Sequence, residues 1–237
     1  MPAPELSIIE ANRALVWRVG RAPDPWAWID HRYAGHQRWD DIGGVFRTIY
    51  VADSLYACFV EVLAYSRPDV QPGGMDLLEG IVEDPEDAAE YPVPRAGTIP
   101  REWIHGRMVA EATLAGRYVD VRTATSVATL RPHFVKLALT LGFPDFDAAA
   151  LKSADPRELT QHIAAHLYAL TDADGHAIVD GIRFASRHGD NLSMWAIFER
   201  SDDGVVSQHL EQGSARLVDL NHPDLARAMD LHQLTWT

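Results

Sequence analysis

Cysteine is nearly absent. The 237 residues contain one, Cys58, so no intramolecular disulfide can form, as expected of a protein working in a reducing compartment. Long apolar runs are missing too: no stretch reaches the roughly 18 residues that a membrane helix needs. The start, MPAPELSIIEANRALVW, lacks the basic-then-apolar order of a secretory signal. These absences together give a cytoplasmic expectation. Positive charge is scarce: 21 Lys and Arg face 34 Asp and Glu, for a net −13. A protein that holds nucleic acid usually carries a basic face, so bulk nucleic-acid binding is disfavoured. A small anion in a locally basic pocket, or a cationic protein partner, is compatible with that balance. The phosphate loop GxxxxGK, the dinucleotide fingerprint GxGxxG and the zinc motif HExxH are all absent, which removes support for a P-loop nucleotidase, a Rossmann dehydrogenase or a metalloprotease. His162 and His166 stand four apart on one predicted helical face, as zinc pairs do. Ile, Ala and Ala lie between them and no third ligand is evident, so no metal is expected.

The apolar share of 47% is ordinary for a globular chain and suffices for the core of one large or two small domains. There is no internal repeat and no low-complexity tail. ALVWRVG reads as a first strand, and FRTIYVAD, rich in Thr, Ile, Tyr and Val, as a second. A loop-like stretch mixing Pro, Gly, Asp and Trp separates them. SLYACFVEVLAY follows as a helix, with Ser54 as N-cap and Leu55, Cys58, Phe59 and Val62 as its apolar stripe. Cys58 on that stripe is read as core rather than nucleophile. RPDVQPGG ends the helix. The acidic, proline-rich stretch over about 66–100 is read as an insertion.

Further on, GRYVDVR reads as a strand. LRPHFVKLALTLG and PRELTQHIAAHLYAL read as helices, the second with Pro156 near its first turn. DGIRFASRHGDN reads as a strand opening into a loop, and SMWAIFER as a strand with Met194, Ala196 and Phe198 on one face. Strands and helices mix without regular βαβ alternation. That predicts one α+β domain over 1–237, with a central mixed or antiparallel sheet flanked by helices.

Four polar residues stand out: Arg38 in the loop GHQRWDDIGG, Tyr50 ending FRTIY, Glu61 on the following helix, and Ser186 ending GIRFAS. Taken singly, each has a bland reading as a loop ion pair, a core tyrosine, a solvated glutamate or a strand-end hydrogen bonder. Glu61, however, lies between Val60 and Val62, where a carboxylate faces a pocket or a partner more often than in a polar run. Arg187 and His188, beside Ser186, read as solvated loop residues.

An Arg-Trp pair in a glycine-containing loop, a strand ending in Tyr and a helical Glu eleven residues later together resemble the RES domain, a family named for an Arg, a Glu and a Ser. DGIRFASR is similar to that family's Ser-bearing strand, WAIFE to the strand after it, and Arg18 in WRVG to a further Arg at its start. The resemblance runs from about Leu15 to Glu199 and is weakest from about Tyr65 to Arg101. The HQRW context departs from it, since many members have glycines before the Arg. The resemblance implies a fold like that of ADP-ribosyltransferases and a NAD-degrading toxin that cleaves the nicotinamide–ribose bond, partnered by a helix-turn-helix antitoxin. It also implies NAD as substrate, Glu61, Tyr50 and Ser186 as catalytic residues, and Arg38, Arg18, Tyr50 and Ser186 as NAD-binding residues.

The residue types suit that chemistry. Nicotinamide leaves as a neutral molecule, so no acid is required. The ribose oxocarbenium ion is what needs help, and a carboxylate such as Glu61 supplies it. A guanidinium, Arg38 or Arg18, can hold a diphosphate through paired hydrogen bonds. Tyr50 can stack on nicotinamide or hold a ribose hydroxyl, and Ser186 can bond the carboxamide or the ribose. Two alternatives stay open: a protein ADP-ribosyltransferase using the same pocket, and an inactive RES domain serving as a binding module. A broad pocket mouth would favour a protein acceptor and a narrow one water or phosphate. A pocket plugged by Glu79 to Glu90 would favour the binding module.

Overall fold

Alternating apolar residues make the strands of this chain, and its computed structural model describes residues 5–68, 96–153 and 155–237. In chain order the strands are β1 (Ile8–Glu10), β2 (Ala14–Arg21), β3 (Thr48–Ala52), β4 (Thr98–Ile99), β5 (Arg107–Leu114), β6 (Arg117–Asp120), β7 (Gly181–Ser186), β8 (Gly189–Phe198), β9 (Leu210–Leu217) and β10 (Thr235–Trp236). The described helices are α1 (Leu55–Leu63), α2 (Ala124–Thr140), α3 (Ala148–Lys152), α4 (Glu158–Tyr168) and α5 (Pro223–His232). Eight strands form one sheet in the order β1-β6-β7-β8-β3-β2-β5-β9, while β10 and β4 pair separately. Every neighbour pair in the large sheet is antiparallel except β6 with β7. The protein is therefore a single α+β domain built on a mixed sheet.

The period of two divides β8 between the two faces of the sheet. Met194, Ala196 and Phe198 enter the larger core, which also holds Phe59, Leu63, Leu130 and Ile163 from the helices. Trp195 and Ile197 enter a second core with Val16, Trp26, Trp28 and Tyr118. Ser54 caps α1 as its residue type demands, its side chain accepting from the backbone N–H of Ala57. Loop residues 22–28 close over the end of β2, where a Cβ on Gly20 would lie 2.6 Å from Pro25; only glycine allows that approach.

One irregularity in the sheet positions the site. β2 pairs with β5 over eight residues and β3 with β8 over five, but β2 and β3 meet at one pair, Trp17 with Ala52. Past that pair the two central strands run unpaired, and the space between them is roofed by α1.

The structure differs from the sequence reading in several elements. β1 precedes the strand read as first. α2 starts at Ala124, before Leu130, with Thr123 as its cap. β5, β9 and α5 were not anticipated. Most of the stretch read as an insertion, 69–95, lies outside the described residues, including Glu79 to Glu90. Its described ends meet, the backbone N–H of Gly97 donating to the carbonyl of Ser66 at 2.8 Å. No helix among the described residues is long and apolar enough to cross a membrane.

Candidate functional site

The split between β2 and β3 opens into a cleft of about 580 Å³, within the range of small-molecule sites, roughly 300–1,000 Å³. Arg18 and Val19 line it from β2, Thr48 and Tyr50 from β3, and Phe184 and Met194 from the neighbouring strands. α1 presents Cys58, Glu61 and Val62, spaced at one helical face, while Phe59, Val60 and Leu63 point into the core. The loop before β3 adds Gln37, Arg38 and Asp40. Arg18, Arg38, Tyr50 and Glu61, separated by up to 43 positions in the chain, thus share one cavity.

The loop is held rigidly. The Tyr50 hydroxyl donates to Asp40 Oδ1 at 2.9 Å and accepts from the backbone N–H of Trp39 at 2.9 Å. Asp40 Oδ2 accepts from the N–H groups of His36 and Gln37. Gln161 on α4 donates to the carbonyls of Gly35 and Gln37, and Arg157 donates to that of His36. Burial and the adjacent Asp40 carboxylate both push the Tyr50 phenol well above its usual range, so it stays protonated. What Tyr50 offers the cleft is mainly its ring, because its hydroxyl is already engaged in bracing the loop.

Arg38 departs from expectation in one respect. Its guanidinium lines the cleft but is not free: Nη1 donates to the carbonyls of Leu151 and Lys152, at 3.3 and 3.4 Å, and Nη2 to that of Ala185 at 3.3 Å. The group also lies 4.9 Å above the Phe184 ring. Charge-assisted bonds to carbonyls are worth about 1.5–3 kcal/mol each, so Arg38 fastens the loop to α3 and β7 as well as supplying charge. Burial lowers its pKa, and Glu61 opposes that shift.

Eight buried side-chain polar atoms lack a hydrogen-bond partner among the described residues, including Arg183 Nε, Arg200 Nε and four tryptophan Nε1 atoms, and two of the eight belong to cleft-lining residues, Arg18 and Glu61. Arg18 Nη1 and Glu61 Oε1 are shielded from solvent and have no hydrogen-bond partner among the described residues. Burial pulls Arg18 down to about 10, partly offset by Cys58 and Asp24, which leaves it charged at neutral pH. Leaving a charged atom buried and unpaired is costly, and where it faces a cavity a water, an ion or a ligand is placed to complete its bonding. Cys58 donates its thiol to the carbonyl of Trp17 at 3.0 Å, and burial pushes it up to about 12. It is a floor residue and not a thiolate nucleophile.

Ser186 is not among the residues lining the cleft. It is 1% exposed, and its hydroxyl accepts from the backbone N–H of His188 at 2.9 Å. It shapes the two-residue turn between β7 and β8, and that turn carries Arg187 and His188 into the cleft wall. The reading of these two as solvated loop residues therefore needs correction for His188. It is half-buried, and burial together with Arg67, Arg187, His232 and Arg38 pushes it down to about 4. The sequence reading also missed Asp40, Arg157 and Gln161, which brace the loop, and Phe184, which floors it. Asp40 was accessible as the residue after the Arg-Trp pair; Arg157 and Gln161 carried no local signal.

The described residues offer one cluster with metal-ligand chemistry, Asp172, Asp174 and His176, all exposed. Asp172 Oδ1 already accepts from the N–H groups of Asp174 and His176, which explains the cluster as a turn. His166 packs edge-on against Phe134, 5.5 Å between centroids, and neither it nor His162 joins that cluster.

Comparison with known proteins adds one result. The family model described as RES domain matches residues 15–218, extending past the resemblance read from the sequence to take in β9. No curated protein matches the chain.

Proposed function

The chain belongs to the RES-domain family, and we propose that its cleft binds NAD and cleaves the nicotinamide–ribose bond, passing the ADP-ribosyl group to water or phosphate. The observation that supports this most is the pair of buried, unpartnered charged atoms, Arg18 Nη1 and Glu61 Oε1, facing one cavity. A dinucleotide whose diphosphate is anionic and whose ribose becomes cationic during the reaction has complementary charge for both.

In this reading Arg18 bonds the diphosphate, and the loop braced by Tyr50 and Asp40 sets the wall against which the nucleotide lies. The rings of Tyr50 and Phe184 supply flat apolar faces for nicotinamide. Glu61 stands near the anomeric carbon and stabilises the positive charge that grows there as the C–N bond breaks and its electron pair returns to the pyridine ring. Ser186 acts through the turn it fixes, keeping Arg187 and His188 in place. The protein is then the toxin of a pair whose helix-turn-helix antitoxin covers the cleft. The net charge of −13 favours a basic contact surface on that partner.

The test is incubation of the purified protein with NAD, with and without phosphate, followed by identification of nicotinamide and of the ribose product. Free ADP-ribose identifies water as acceptor and a ribose phosphate ester identifies phosphate. If nicotinamide is not released under either condition and unpaired expression in a bacterial host leaves growth and NAD levels normal, the enzymatic reading is wrong.

A further inference from the structure

A second cavity of about 360 Å³ adjoins the first, sharing Arg187 and His188 as a common wall. Arg67, from the turn after α1, and His232, from the last turn of α5, complete its ionisable lining. No carboxylate lines it among the described residues, although acids outnumber bases by 13 in the whole chain. His232 is buried, and its Nε2 lies 2.8 Å from the carbonyl of Val60. A carbonyl can only accept, so Nε2 carries the proton and Nδ1 is the nitrogen left for another partner. The rings of His188 and His232 meet edge-on at 5.7 Å. Arg67 is anchored by Nε to the carbonyl of Ala64 at 3.1 Å, and among the described residues its Nη groups take no hydrogen-bond partner.

Arg67 and Arg187 stand at this cavity with no carboxylate among its described lining residues, and a bound oxyanion would relieve their mutual repulsion and favour a proton on the adjacent His188 ring. We propose that this annexe is a second anion subsite that takes a phosphate group beside the ligand of the main cleft. The proposal deepens the NAD-cleavage reading and rests on it for the identity of the neighbouring ligand. The phosphate has two sources of the same chemistry: a phosphate ester carried on the nucleotide itself, as in NADP, or free inorganic phosphate. The shared wall is what makes either source relevant to the main cleft. Without it an anion here would be a bystander.

The binding test needs no catalysis. Inorganic phosphate is titrated into the full chain while the His188 ring resonances are followed by NMR, assigned by comparison with His188→Gln. Chloride at matched ionic strength serves as control. Bound phosphate should raise the pH midpoint of His188 by about one unit. Arg67→Glu should weaken phosphate about tenfold or more, with Arg67→Lys retaining most of the response. No phosphate-specific response in the wild type, or an equal response in Arg67→Glu, overturns the subsite whether or not the protein proves to cleave NAD.

Turnover then separates the sources. If the nucleotide carries the phosphate, NADP should have a lower KM than NAD, and Arg67→Glu should abolish that preference. If the phosphate is free, added phosphate should raise the rate saturably with NAD, and Arg67→Glu should shift the half-saturating concentration upward. Arg67 does not line the main cleft, so basal NAD cleavage in water should survive the substitution.

Discussion

Replacing Glu61 by Gln removes one charge and almost no volume, which makes it the most informative perturbation of the cleft. Glu61 lies in the last turn of α1 with Oε1 buried and unbonded. Nothing in the described protein neutralises it directly, although it acts on Arg38 through the cleft. A unit positive charge about 4 Å away interacts with it by about 4 kcal/mol at an effective dielectric near 20. In the proposed reading bound NAD would already place a positive pyridinium nearby, so part of that attraction would exist before reaction. Roughly 3 kcal/mol then remains for the transition state, in line with the loss of a single electrostatic stabiliser. That corresponds to about a hundredfold in turnover, with KM little changed because ground-state contacts survive. Folding should not suffer. A carboxylate at the C-terminal end of a helix opposes the helix dipole, and relieving it should leave Tm unchanged or raise it by up to about 4 °C in a chain of this size. The assay is nicotinamide release at saturating NAD, with circular dichroism melting as the folding control. A folded Glu61→Gln protein that turns over within about threefold of wild type, far short of the expected loss, would refute the electrostatic role and leave Glu61 as a partly buried acid with a structural role only.

Other substitutions separate binding from bracing. Arg18→Met should raise the KM for NAD by about tenfold or more while melting at or above the wild-type temperature, since it removes a buried cation with an unpaired nitrogen; a fall in Tm with unchanged KM would make Arg18 structural. Arg38→Ala should raise KM and also lower Tm, because three carbonyl bonds are lost; at 3.3–3.4 Å they are long, so each falls below the usual worth of a charge-assisted bond and together they cost about 2–4 kcal/mol; an unaltered melting curve would show that the tether is not formed in solution. Tyr50→Phe removes the hydroxyl that joins Asp40 to the N–H of Trp39 and should increase hydrogen exchange across residues 36–40, checked by mass spectrometry. His188 has a pKa depressed to about 4, so the unfolded chain binds its proton at higher pH than the folded one. Its contribution is full above the ordinary histidine value near 6.5 and is lost as pH falls from there through about 4. His188→Gln should therefore flatten the stability–pH curve in that window, read from denaturant midpoints.

The fold was legible where local chemistry and tertiary structure agree. Ser54 announces α1 by its type and position, and Met194, Ala196 and Phe198 announce a strand face by their spacing. β5 was not legible because RMVAEATL contains Ala and Glu, residues at home in helices. It is a strand because β2 and β9 pair with it on either side, which is tertiary context overriding propensity. β9 sits at the sheet edge with seven of its eight residues exposed, so burial imposed no alternation to read. In the site, Arg18, Arg38, Tyr50 and Glu61 are legible in the sequence and lie around one cavity. Their division of labour was hidden. The engagement of Arg38 depends on carbonyls more than 110 positions away, and the inward placement of His188 depends on a turn fixed by Ser186.

The charge balance is compatible with a chain that disfavours polyanions and, in the proposed reading, holds a small one. Among the described residues, Arg18, Arg38, Arg157 and Arg187 line the cleft against two carboxylates, Asp40 and Glu61, and Asp40 is already taken up by the loop. At physiological salt, fields are screened beyond about 8 Å, so a dinucleotide placed in the cleft would respond to these arginines and hardly to the acids elsewhere on the surface. A nucleic-acid backbone extends far outside that range and meets the net −13. The cleft keeps its positive bias because its acids are few and structurally committed, with one exception. Glu61 is the acid the cleft retains unpaired, set among arginines that would attract the same anionic ligand it repels. An unpaired carboxylate there weakens anion binding unless it meets positive charge on the ligand, and it contributes most if that charge grows during the reaction. Anion binding alone gains nothing from it, which is why the location of Glu61 is an argument for catalysis as well as for recognition.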